Sequence, residues 1–146
     1  MTTYAATDRP TAGWPLFAAL GAGTALVLAA LGTFWDFSGN DANEQGVSEY
    51  LFVAGIVVVA TALVFGLVVR TATPANAGTR AAILAGVAAV SILVFWSGLP
   101  PVLAVAAISC ALVSRRADSS LSTIARVVLG IAALVLAGAV YLAFVG

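Results

Sequence analysis

Residues 81–113, AAILAGVAAVSILVFWSGLPPVLAVAAISCALV, run for 33 positions without an Asp, Glu, Lys, Arg or His. A helix that crosses a hydrocarbon core of about 30 Å needs roughly 20 apolar residues. The run is therefore too long for one crossing and short for two. Its middle reads Ser97-Gly98-Leu99-Pro100-Pro101. Two adjacent prolines remove two backbone donors and push the residues before them away from α geometry, so a continuous helix through this point is disfavoured. The stretch reads as a tight helical hairpin over 81–99 and 101–113, with a short second arm. Its Gly-Pro-Pro turn is expected at the outer surface, where water satisfies irregular backbone.

Working outward from the hairpin, three more apolar runs of spanning length occupy 14–34, 50–69 and 127–145. Together they predict an all-α polytopic transmembrane bundle of five spans, a single integral membrane domain over 1–146. The composition agrees: 62% hydrophobic residues and 8% charged, against roughly a quarter charged in soluble domains. The first run exceeds the apolar core of a secretory signal peptide, and Gly32-Thr33-Phe34-Trp35-Asp36 is not a small-x-small cleavage site, so it is read as the first span. Trp14 at the inner boundary, with Trp35, Tyr50 and Trp96 at the outer one, fits aromatic belts.

The arginines orient this layout. Arg9, Arg70, Arg80, Arg115, Arg116 and Arg126 are all the basic residues of the chain, and the five-span threading puts every one on the same side. By the positive-inside rule that side is the cytoplasm, giving a multi-pass protein with its N-terminus in and its C-terminus out. A hairpin that dips in over 81–113 and returns would satisfy the same arginines. Full crossing is preferred because irregular backbone at membrane depth needs shielding by protein or water. The absence of lysine and the richness in Ala, Val, Gly and Arg point to a bacterial genome of high GC content, hence to the plasma membrane. Asp118, Ser119 and Ser120 can cap the last helix, with Ser122 and Thr123 as later alternatives.

Chemistry is sparse. None of the spans carries an ionisable residue near its middle, which argues against proton relays and coupled ion transport. With no histidine and one cysteine, Cys110, no haem or transition-metal cluster is expected, and no cofactor. Cys110 reads as a small buried hydrophobe. Zero net charge and scattered basic residues exclude a nucleic-acid partner. A candidate divalent-cation set is Asp41, Asn43, Gln45 and Glu49, the first, third, fifth and ninth positions of a calcium-loop pattern with Gly46 at the sixth. The twelfth position is Phe52 rather than a carboxylate, so a hydrated acidic turn is the simpler reading.

Small residues supply the other signal. Ala18, Ala22, Ala25, Ala29 and Gly32 recur at helical spacing and form a candidate helix-contact seam. Similar stripes run through Ala104, Ala107, Ala111 and Ser114, and through Gly130, Ala133 and Ala137. In lipid, helices associate by close packing and hydrogen bonding, and small residues allow the approach. The expected function is a non-enzymatic accessory, assembly or scaffold component acting through helix contacts, its partners being the bilayer and other membrane subunits or itself. Two alternatives stand beside it. One is an oligomeric channel or facilitator for a small neutral solute, lined by Thr61, Ser91 and Ser109. The other is an envelope sensor binding a divalent cation at the acidic outer loop.

Overall fold

A computed structural model of the chain describes residues 13–34, 46–114 and 121–145. Among the described residues there are five α-helices: α1 (Trp14–Phe34), α2 (Val47–Leu63), α3 (Ala77–Ser91), α4 (Leu99–Val113) and α5 (Thr123–Val145). A π-helical turn, Val64–Val69, prolongs α2, and a 3-10 segment, Ile92–Ser97, prolongs α3. The chain is thus an all-α membrane bundle with a tight α3–α4 hairpin, as expected. Four stretches, Trp14–Phe34, Val47–Val69, Ala77–Ser97 and Thr123–Val145, are long and apolar enough to cross a membrane. The shorter fifth, α4, sits at the centre of the others.

Burial makes this plain. Eleven of the fifteen α4 residues are buried, on every side of the helix, whereas only Gly21 and Ala25 are buried in α1. An apolar helix without an outward face needs other helices around it; α4 has α1, α2, α3 and α5. Its alanines permit the approach. Ala104, Ala106, Ala107 and Ala111 are fully enclosed, and a Cβ added at Gly21 of α1 would already touch Val105 at 3.4 Å. Since lipid tails are as apolar as the core, dispersion and fit rather than transfer from water hold such a bundle together.

The hairpin turn lies deeper than the sequence suggested. The second arm, Leu99–Val113, has fifteen residues, or about 22 Å, against about 31–35 Å for α1, α2 with its π-helical turn, and α5, which have 21 to 23 residues. The first arm is α-helical over fifteen residues, Ala77–Ser91, before its 3-10 continuation. At one end the arms are level with the rest: Leu112 and Val113 share a small cleft with Trp14 and Val69. Arg70, Arg80 and Arg126 mark this arginine end. At the far end the turn is recessed. A Cβ on Gly98 would meet Val57, Val53 and Ala25, and the nine residues from Ala25 to Phe34 rise about 14 Å further. Ser97, Gly98, Pro100 and Pro101 are all buried.

The turn, expected at the outer end, is set back from the ends of α1 and α2, and its own donors allow this. A helix start normally leaves several N–H groups without partners, but two of those in the first turn of α4 are absent because the residues are Pro100 and Pro101. The Leu99 N–H donates to Ser97 Oγ over 3.4 Å, Ser97 Oγ donates to the Val94 carbonyl at 2.7 Å, and the Gly98 N–H donates to the Phe95 carbonyl at 3.2 Å. The prolines delete the donors that would otherwise require water, and protein shields the rest. Gly98 takes φ +70°, closing the turn in the left-handed region.

Helix bounds shift accordingly. The first arm begins at Ala77 rather than at 81 and loses α geometry after Ser91, with Val94 at φ −120°, ψ 43°. The second arm takes in Leu99 and Pro100, ahead of the predicted 101, because proline is well placed in a first helical turn. Helix α2 starts at Val47, three residues before the predicted 50, and α5 at Thr123, where the Ser122 Oγ accepts the Ala125 N–H at 3.1 Å. Ser122 is the capping residue seen; Asp118, Ser119 and Ser120 lie outside the described residues.

Candidate functional site

Because α4 stops short while α1, α2 and α5 continue, the far end of the bundle has a partly open cavity of about 430 Å³. Gly98 and Pro101 form its floor. Its walls come from the last turns of α1 and α5, the first turns of α2, and the 3-10 segment with Phe95 and Trp96. The volume falls within the range of small-molecule sites, about 300–1,000 Å³. Phe34 and Tyr50 clasp the ends of α1 and α2 beside it, ring centroids 5.4 Å apart and planes tilted by 54°.

Among the described residues the polar side chains in the lining are Thr33 and Glu49. Glu49 stands in the first turn of α2, a position where the helix dipole favours an anion. Among the described residues no basic side chain lines the cavity, and the described arginines are all at the opposite end. Of the predicted cation ligands, Glu49 is at this cavity, and Asp41, Asn43 and Gln45 lie outside the described residues. Among the described residues no group of three or more metal-ligating side chains comes together. Trp96, expected in an outer aromatic belt, instead flanks the recessed turn, 58% exposed.

The small-residue stripes separate into two kinds. Ala25 is buried in the core, with Ala18 and Ala22 packed against it, so this half of the seam contacts the chain's own helices; Ala29 and Gly32 line the cavity. The α4 stripe is likewise internal: Ala104, Ala107 and Ala111 are fully buried, while Ser114 is half-buried and its Oγ donates to the Ala111 carbonyl at 2.7 Å. In α5, however, Gly130, Ala133 and Ala137 are all exposed, and a Cβ at Gly130 would have nothing within 4 Å.

The residues considered for a pore do not line one continuous path. Ser91 is buried and donates to the Ala88 carbonyl at 2.8 Å; Ser109 is buried in α4, which fills the bundle axis. Thr61 Oγ1 on α2 is buried without a hydrogen-bond partner. Cys110 is a buried free thiol in the same central helix.

One arginine has a structural duty that charge counting missed. Arg80, in the first turn of α3, donates to the Val68 carbonyl at 2.6 Å and to Thr71 Oγ1 at 2.7 Å. Thr71 Oγ1 in turn donates to the Leu67 carbonyl. The guanidinium thereby satisfies the end of the π-helical turn, where wider winding leaves carbonyls without ordinary partners, as in the Arg70 N–H bond back to Phe65. A cation is unfavourable at the start of α3 but favourable at the close of α2, and the hydrogen bonds decide its place. Arg70 and Arg126 are exposed; Arg9, Arg115 and Arg116 lie outside the described residues. Replacing Arg80 by Met should cost about 1–2 kcal/mol in unfolding free energy, whereas Arg80→Lys should keep the membrane orientation and recover only part of that loss. Equal stability of Arg80→Met and the parent in reversible detergent unfolding would remove this role.

No family model, no curated protein and no solved structure matches this chain.

Proposed function

We propose that this chain is a plasma-membrane protein of bacterial type, arginine end and N-terminus in the cytoplasm, which acts without a catalytic site of its own as an accessory or assembly component. The observation that carries this reading is the outward stripe on α5. Gly130, Ala133 and Ala137 occupy an exposed helix face, while the corresponding stripes on α1 and α4 are largely used inside the bundle. Small residues spaced in this way let a second transmembrane helix approach closely. Exposed Leu134 and Tyr141 flank the stripe and offer larger contacts at its edge.

The channel alternative draws less support, because α4 with its enclosed alanines occupies the position an axial path would need. A cation sensor would have to rely on Glu49 together with residues outside those described.

The test is native isolation in mild detergent followed by mass spectrometry. A membrane partner, or a second copy, should co-purify with the parent chain. Substituting Gly130, Ala133 and Ala137 together by Leu should reduce its recovery at least tenfold while leaving the thermal unfolding of the isolated chain nearly unchanged, since those positions face away from the core. Recovery of a lone monomer from the native membrane would overturn the proposal.

A further inference from the structure

We infer that the far-end cavity is a binding site for a compact lipophilic organic cation of the ammonium class. This goes beyond the accessory reading and does not depend on it. The inference rests on three features that converge there. The cavity is of ligand size, about 430 Å³, and is walled chiefly by apolar side chains, which suits the body of a lipophilic guest. Phe52, Phe95 and Trp96 are among its lining residues, each of them also partly exposed on the outside, and aromatic rings attract alkylammonium groups, Trp most strongly. Among the described residues Glu49 is the one ionisable group in the lining, and no described basic side chain lines the cavity with it.

The sign of the charge is set by the same residues. An anion would meet the Glu49 carboxylate and find no compensating cation among the described lining residues. The start of α4 beneath it does not help, because Pro100 and Pro101 offer no N–H and the Leu99 N–H is directed to Ser97 Oγ. A zwitterionic phospholipid would bring a phosphate alongside its ammonium, and among the described residues the lining offers that phosphate the Thr33 hydroxyl but no basic side chain. A free organic ammonium satisfies Glu49 and the aromatic faces at once. Its apolar substituents fill the space that the short central helix leaves open.

The probe is benzyltrimethylammonium, with neopentylbenzene as the neutral isostere in which carbon replaces the charged nitrogen. The full chain in a neutral maltoside detergent, labelled with 15N at tryptophan, gives indole signals for Trp14 at the arginine end and Trp96 at the cavity. Benzyltrimethylammonium should shift the Trp96 signal saturably and leave Trp14 in place. Glu49→Gln should raise the half-saturating concentration at least tenfold with the Trp14 signal unchanged, which certifies the fold, and Trp96→Leu, followed by calorimetry, should weaken binding several-fold. Ala29→Leu should abolish binding by filling the cavity. Several outcomes would overturn the inference: no saturable shift, equal affinity for the neutral isostere, or unaltered affinity in Glu49→Gln. Binding that appears only after Trp35 and Phe37 are replaced by Ala would also overturn it, since the chain's own residues 35–45 would then be the occupant.

Discussion

Gly98→Ala is expected to destabilise the bundle by about 2–5 kcal/mol, combining a left-handed backbone penalty of about 1–2 with an overpacking penalty of about 1–3. Both contributions come from one position. Gly98 holds φ +70°, and a Cβ there would come within 2.6 Å of Val57 Cγ2. The first cost is intrinsic to any L side chain. The second belongs to Val57 and can be separated from it. Val57→Ala added to Gly98→Ala should recover part of the loss, although Val57→Ala alone leaves a void and is itself destabilising. The measurement is unfolding free energy in detergent or bicelles for the four members of the cycle. If the double variant is no more stable than the sum of the single losses predicts, the close approach of the turn to α2 is wrong. Because a domain's total stability is only about 5–15 kcal/mol, bulkier replacements such as Gly98→Val should prevent recovery of folded protein.

Ala107→Leu should rank next, with a loss of about 3 kcal/mol, the upper end of the usual overpacking penalty. Ala107 is fully buried in α4, and that helix is enclosed on every side, so the extra methylenes have no lipid-facing direction in which to relax. Ala133→Leu is the matched control. It makes the same chemical change on an exposed face of α5, and such surface changes usually stay within about 0.5 kcal/mol. The contrast tests the architecture itself, since a bundle with α4 on its periphery would give two small and similar effects. It also separates packing from hydrophobicity: both variants become more apolar, yet only the one inside the bundle should lose stability.

These two positions show where the sequence was legible. The glycine and paired prolines marked a turn between helices 3 and 4, and the fold has that hairpin. What 97–101 could not reveal was the depth of the turn. Prolines at a boundary read equally as markers of a wet surface and as a means of starting a helix without unsatisfied donors. The second role operates here, with Ser97 supplying the remaining contacts. The stripe in α1 was visible as spacing, but spacing does not distinguish a face turned toward α4 from one turned toward lipid. The α5 stripe has the same pattern and the opposite exposure.

The π-helical turn at Val64–Val69 left little trace in the sequence beyond Gly66 within an apolar run. Arg80 is visible in the sequence as one of the charges at a single end of the bundle, yet its bonds to Val68 and Thr71 span a connection whose geometry no periodicity encodes. In the sequence Glu49 closes an acidic loop; its place in a cavity depends on residues from α1, α5 and the 3-10 segment, all distant in sequence.

By itself, the sequence determined the class of solvent, the helical character and the hairpin, because each follows from local quantities: apolar run length, the distribution of charge, and the backbone restrictions of Gly and Pro. The tertiary structure alone decided that the shortest apolar helix would be central. A chain apolar nearly throughout carries no contrast between buried and lipid-facing positions, so hydrophobicity cannot sort its helices. Side-chain size and helix length do so instead: alanines let α4 pass inside, and its early stop leaves the cavity above it.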